Sequence, residues 1–210
     1  MNKVFCFVLL FIATFCSAQN SKHSISYVKV EFEIDSSSLL LNSNRPLEFN
    51  LHGKNDMSRV EIKYQQETRI IISDNLSQSG YILSSMKNKK VAEKINSSHY
   101  VQRNTGIAKP IIVVTRDSKL IAGFNCYKAI VKRQIMNTTS EEEVWFSNEI
   151  KCKNSFENNL PGISGMLMQY QFHDDFNNNF KVSAKKVEVE ESLSDSLFRV
   201  PAGYKIIERK

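Results

Sequence analysis

Four histidines, four cysteines and a single tryptophan are the side chains of this 210-residue sequence from which chemistry is most readily built. The histidines, His23, His52, His99 and His173, are scattered, and only His173 adjoins carboxylates, those of Asp174 and Asp175. Neighbouring residues on a strand point to opposite faces, so this trio would chelate poorly and reads as a surface loop. Ser84 with Lys87 and Ser183 with Lys186 each fit Ser-x-x-Lys, a spacing that chance supplies in a chain so rich in both residues. Neither has the companion motifs of a serine acyl-enzyme, and no nucleophile elbow, phosphate loop, dinucleotide fingerprint, His-Glu-x-x-His or Cys-x-x-Cys occurs. The residues therefore predict no catalytic centre, no metal site, no cofactor and no enzyme.

Beyond residue 16 only Cys126 and Cys152 remain as thiols. They flank two β-favouring runs, 124–135 and 143–150, joined by the polar stretch "MNTTSEE". A hairpin folded symmetrically about Thr139 would set residues summing to 278 opposite one another, and these two cysteines do so. A cross-strand disulfide then fits and would stabilise by roughly 3.5 kcal/mol in the chain-entropy model. Two free thiols are the alternative, because apolar residues do not fall on one face here and the pattern leaves the register open. Glu141, Glu142 and Glu143 fall at the presumed turn, where solvation is expected. Trp145 reads as a core or sheet-face anchor, unless it stands at the rim of a pocket, where it would stack on a ligand.

The compartment is predicted from the N-terminus. Lys3, an apolar run over 4–15 and the small residues Ser17 and Ala18 before Gln19 have the pattern of a signal peptide, cleaved after about Ala18. Bulky Phe15 before Cys16 argues against a lipoprotein. No further stretch is apolar enough to span a bilayer. The expectation is a single β-rich domain over 19–210 in the periplasm or medium. The charge of +6, reduced to +5 by loss of Lys3, then serves solubility, and nucleic acid is no partner for an exported chain.

The segments that must position any site read as strands. Val28, Val30, Phe32 and Ile34 alternate with Lys29, Glu31, Glu33 and Asp35, the period of a half-buried sheet. Leu47, Phe49 and Leu51 share a face, as do Val60, Ile62 and Tyr64, and shorter strands are expected over 69–73 and 81–84. Val91 and Ile95, spaced i, i+4 among four lysines, predict a short amphipathic helix. Pro201 and Gly203 mark a turn before a last strand.

Several segments resemble a known family. Ile121, Gly123, Phe124, Cys126 and Ala129, then Trp145 with Phe146, then Leu160, Pro161 and Gly162, are similar to the signature of the GLPGLI family. Asn159 stands where that signature begins with glycine, so the likeness is closer to an uncharacterised exported Bacteroidota family related to it. The ending Phe198, Pro201, Gly203 and Tyr204 resembles that relative too.

The resemblance implies a strongly curved antiparallel sheet, a half-barrel similar to the outer-membrane lipoprotein carriers, with one or two short helices. A concave apolar face implies in turn a binding or carrier module for a lipid, a lipoprotein or another apolar ligand. The alternative is a structural or protein-interaction module of the cell envelope, with a protein partner and no small-molecule ligand.

Overall fold

The structure, a computed structural model, describes residues 24–35, 46–86, 89–96, 109–135, 138–154, 160, 162–174 and 179–208. The proposed leader and Pro161 lie outside them. The described residues form twelve strands and no α-helix: β1 (Tyr27–Ile34), β2 (Pro46–Lys54), β3 (Met57–Tyr64), β4 (Thr68–Asp74), β5 (Ser79–Met86), β6 (Lys89–Asn96), β7 (Ile111–Ile121), β8 (Phe124–Ile135), β9 (Thr138–Ser147), β10 (Met166–His173), β11 (Asn179–Val189) and β12 (Lys205–Glu208). A 3₁₀ turn, Asp195–Phe198, precedes β12 and is capped by the Ser194 side chain, which accepts from the Ser196 amide.

All twelve belong to one mixed, open sheet in the order β12-β6-β5-β4-β3-β2-β1-β11-β10-β9-β8-β7. Two meanders, β1–β6 and β7–β11, are welded where β1 pairs with β11. Every neighbouring pair is antiparallel except β12, which adds to β6 in parallel.

The sheet folds on itself. Tyr64, at the end of β3, donates a 2.8 Å hydrogen bond to Asp174, just after β10. In a flat sheet these strands would be four spacings, about 19 Å, apart. Ile25 likewise bridges Ile150, and an added Cβ on Gly53 of β2 would lie 2.7 Å from Cys152 Cβ. The space enclosed is filled with side chains. Phe49 meets Phe32, Phe172 and Phe180 edge-on at centroid distances of 5.3, 5.0 and 6.2 Å, and one continuous core runs from β1–β4 to β8–β11. The mainly β expectation therefore holds, in a sandwich-like arrangement. The finer expectation, a half-barrel with one or two short helices, is not borne out: the described residues hold no α-helix and side chains fill the enclosed space. A second, smaller core packs Leu193 and Phe198 of the C-terminal segment on Ile70, Ile72, Leu83 and Ala92.

Three local expectations need correction. The predicted helix around Val91 and Ile95 is β6, because a spacing of four is also two strand periods, and the edge of β5 offers a full antiparallel ladder. Leu47 does not share a face with Phe49: a register shift between Pro46 and Glu48 turns it outward, 55% exposed. The hairpin of β8 and β9 is centred two to three residues earlier than supposed. Opposed residues, such as Tyr127 and Phe146, sum to 273.

That register removes the geometric basis for pairing Cys126 with Cys152. Both are buried free thiols, Cys126 directed at the Phe124 carbonyl and Cys152 at that of Ser26. Burial pushes each thiol pKa up to about 11. Only about one thiol in a thousand is then thiolate at pH 8. Iodoacetamide should leave both unmodified in the folded chain and alkylate both after unfolding without reductant; a mass map showing them linked would contradict the free-thiol structure.

Candidate functional site

Directly opposed residues on adjacent strands lie on one face of a sheet. The register therefore sets Lys128 (β8), Trp145 (β9), Gln169 (β10), Ser183 (β11) and Glu33 (β1) in one row across five strands. Their strand neighbours, Val144 and Phe146, Met168 and Tyr170, Val182 and Ala184, Phe32, point the other way into the core. The same alternation that builds the core thus lines up a polar row on the outer face, with the chain's single tryptophan inside it.

Strand β7 folds over this row. Its register with β8 shifts between Val114 and Ser118, and Lys119 reaches across the indole of Trp145. Its ammonium lies 4.1 Å from the ring centroid and donates a 2.6 Å hydrogen bond to Gln169 Oε1. Three flat strand spacings, about 14 Å, separate β7 from β10, more than a lysine side chain spans, so the fold-over is what makes the contact. A cation over an aromatic face at a wet site is worth about 0.5–1 kcal/mol. Desolvation and then the nearby Lys181 charge hold the Lys119 pKa below its usual value.

The other edge of the indole is fixed by a charged chain. Trp145 Nε1 donates to Glu143 Oε1 at 2.7 Å, Glu143 pairs with Lys128 at 3.1 Å, and Lys128 pairs with Asp117 at 3.4 Å. The indole hydrogen bond, then Lys128, hold the Glu143 carboxyl below the usual carboxylate range. Alongside, Glu33, Ile34, Asp35, Gln169, Lys181 and Ser183 line a solvent-open cleft of about 360 Å³. Gln171, opposite Lys181 on this face, has a buried Oε1 with no hydrogen-bond partner. Trp145 and Gln169 are themselves buried, 8% and 7% exposed, beneath Lys119, and the amide, hydroxyl, carboxylate and ammonium groups around them and along the cleft suit the hydroxyls of a polyhydroxylated ligand.

The residues singled out by the sequence are dispersed. Ala122 and Gly123, at φ +49° and +85°, make the two-residue turn from β7 to β8, the left-handed pair that such a hairpin needs. Phe124, Cys126 and Ala129 lie on β8, with Cys126 and Ala129 in the core. Leu160 is buried and Gly162 is exposed in the loop before β10, while Pro201, Gly203 and Tyr204 form the bend into β12. Of all these, only Trp145 belongs to the row that borders the cleft, through its register partner Gln169. His173 is exposed at the end of β10, and Glu141, Glu142 and Glu143 belong to the β9 ladder, paired with Lys132, Arg133 and Lys128. No group of three potential metal ligands converges among the described residues. Lys119, Gln169 and Lys181 carried no local signal, because each meets Trp145 or its cleft only through the fold-over and the distant pairings.

Comparison with known proteins corrects the family. No curated protein matches in sequence. The solved structure of PNGF-II superposes with a TM-score of 0.55 at 17% identity, covering 88% of this chain and 32% of that one. The chain thus spans about a third of the PNGF-II chain. An uncharacterised conserved protein from Thermus thermophilus superposes with a TM-score of 0.50 at 8% identity, covering 90% of this chain and 93% of that one. These likenesses establish a shared fold. The model of the family described as "N-glycanase peptide, N-terminal domain" matches residues 48–208, which include the segments that had resembled GLPGLI proteins. The GLPGLI-type assignment is therefore withdrawn, together with the lipid-carrier reading and the envelope-interaction alternative. With more than three-quarters of its length matched, this chain belongs to the family of N-glycanase peptide N-terminal domains.

Proposed function

We propose that this chain is an exported, non-catalytic accessory domain that holds a glycan on the Trp145 face. The single observation that carries the reading is the Trp145 row: an indole set among Lys119, Gln169, Glu143 and Lys128 beside an open polar cleft. Family membership supports it, since an N-glycanase is by name an enzyme of N-glycans, and an accessory domain on the same substrate gains from local concentration. The non-catalytic half rests on the lack of any nucleophile-base or acid pair of catalytic type in the sequence. Export rests on the leader-like residues 1–18.

A panel of immobilised N-glycans tests this. The chain beginning at residue 19 should bind a subset of the panel, and Trp145→Ala should weaken that binding about ten-fold or more, the loss expected of a stacked aromatic anchor. Melting curves of the two proteins separate lost binding from lost folding. Incubated with a denatured N-glycoprotein, the chain alone should release no glycan. Binding untouched by Trp145→Ala would remove the site, and steady glycan release would make the domain an enzyme.

A further inference from the structure

The open sheet has two edges, and they differ. Strand β12 is four residues long and carries charge at both ends, Lys205 and Glu208, which blunts an edge against further pairing. Strand β7 runs for 11 residues and begins with β-branched apolar side chains in succession, Ile111, Ile112, Val113 and Val114. A run apolar on both faces marks a strand that is covered on both. Yet β7 pairs only with β8 among the described residues, and Ile111, Val113 and Val114 are 66%, 46% and 50% exposed. Such an edge is a template for one more strand.

The order of side chains along β7 indicates which strand fits. An edge that pairs antiparallel with its own copy across a two-fold axis sets each residue opposite its mirror image in number about the residue on the axis. With Val113 on the axis, Ile111 lies opposite Thr115, Ile112 opposite Val114, and Lys109 opposite Asp117 at both ends. Lys109 is exposed and has no carboxylate partner among the described residues, while Asp117 is held by Thr115 and shares Lys128 with Glu143. Other registers fit worse. An axis at Val114 or Thr115 sets Ile111 or Val113 against Asp117, and one at Arg116 or Asp117 sets like charges against each other, which destabilises a pair. An axis at Ile112 leaves Asp117 unpaired and puts Pro110, which has no N–H, inside the ladder opposite Val114.

We propose that β7 pairs antiparallel with β7 of a second copy of this chain, centred on Val113, so that one sheet runs through a symmetric dimer. The pairing satisfies an open row of backbone groups, covers Ile111, Val113 and Val114, and adds a Lys109–Asp117 ion pair at each end. An interface one strand wide is of the weak, concentration-dependent kind. A two-fold axis perpendicular to the sheet keeps the outer faces of both copies on one side, so the two Trp145 faces look the same way and can engage one multivalent surface together. The dimer itself does not depend on the glycan reading.

Light scattering after gel filtration, repeated over a concentration series, tests this. The chain beginning at residue 19 should pass from monomer to dimer as its concentration rises through the micromolar range. Val113→Lys, which sets two ammoniums on the axis, should keep it monomeric, with an unchanged thermal melt showing that the fold is intact. Lys109→Glu should weaken the dimer several-fold, and adding Asp117→Lys should restore it, because the reversed charges again face each other across the axis. Val113→Cys should be joined to its copy by a short thiol cross-linker, the native thiols of Cys126 and Cys152 being buried, whereas Ile206→Cys on the β12 edge should not. A chain monomeric at every concentration, a dimer untouched by Val113→Lys, a charge reversal without rescue, or cross-linking at position 206 in place of 113 would each overturn the inference and leave the glycan reading standing.

Discussion

Replacing Gly165 by alanine should lower stability by about 3 kcal/mol, a fall in melting temperature of about 6–12 °C for a domain of this size. Gly165 has φ +105°, a conformation closed to side-chain-bearing residues, and an added Cβ would stand 2.1 Å from the Ser147 carbonyl oxygen and 2.9 Å from its carbon. Both obstructing atoms are backbone, so no rotamer change can clear them. The next residue, Met166, pairs with Ser147 and starts the β9–β10 ladder that sets Trp145 against Gln169. Relief of the clash must therefore open that ladder, and glycan binding should weaken in step with stability. A thermal melt within about 2 °C of wild type would mean that β10 enters the sheet differently.

Phe49→Ala should cost about 3–5 kcal/mol, the range for truncating a fully buried phenylalanine. Phe49 is 1% exposed and touches one ring on β1, one on β10 and one on β11, so its loss removes the common partner of three edge-on aromatic contacts. Two of those contacts, to Phe172 and Phe180, tie the first meander to the second. Phe49→Leu, which keeps most of the volume, should cost less than about 1.5 kcal/mol. Urea unfolding of the three proteins decides it. An alanine variant that loses less than about 1 kcal/mol would show that the two meanders do not share a core.

Much of the sheet was legible because alternation is a local property. Val28, Val30 and Phe32 and the trio Val60, Ile62 and Tyr64 are buried as their spacing predicts, and the run 124–135 coincides with β8. What failed depended on information that alternation lacks. The centre of the β8–β9 hairpin could not be found because Lys128 and Lys132 share parity with Ile130, and both are satisfied by cross-strand carboxylates, which makes a mixed face stable. The residues of "MNTTSEE" read as a turn, yet Glu141 and Glu142 extend the ladder, Glu141 opposite Lys132 and Glu142 paired diagonally with Arg133. Leu47 turns outward at a bulge, and β6 imitates a helical spacing.

The family resemblance misled for a related reason. A glycine before an aromatic strand, or a Leu-Pro-Gly loop, records what a tight turn requires, as at Gly123 with its positive φ, and unrelated β families meet the same requirement. At the candidate site Trp145 was visible as an aromatic with two possible roles. Its partners were not, since Lys119, Gln169 and Lys181 come from β7, β10 and β11, and Lys119 reaches Gln169 only through the fold-over of β7.

One indole N–H resonance is expected in the proton–nitrogen correlation spectrum of this chain, that of Trp145, which donates to Glu143 in the free protein. Titration with a free N-glycan that the panel shows to bind should move that resonance saturably, together with the amides of Gln169 and Ser183 on the same row. A resonance that stays fixed while the glycan binds, with shifts confined to other strands, would show that the Trp145 face is not where the domain meets its ligand.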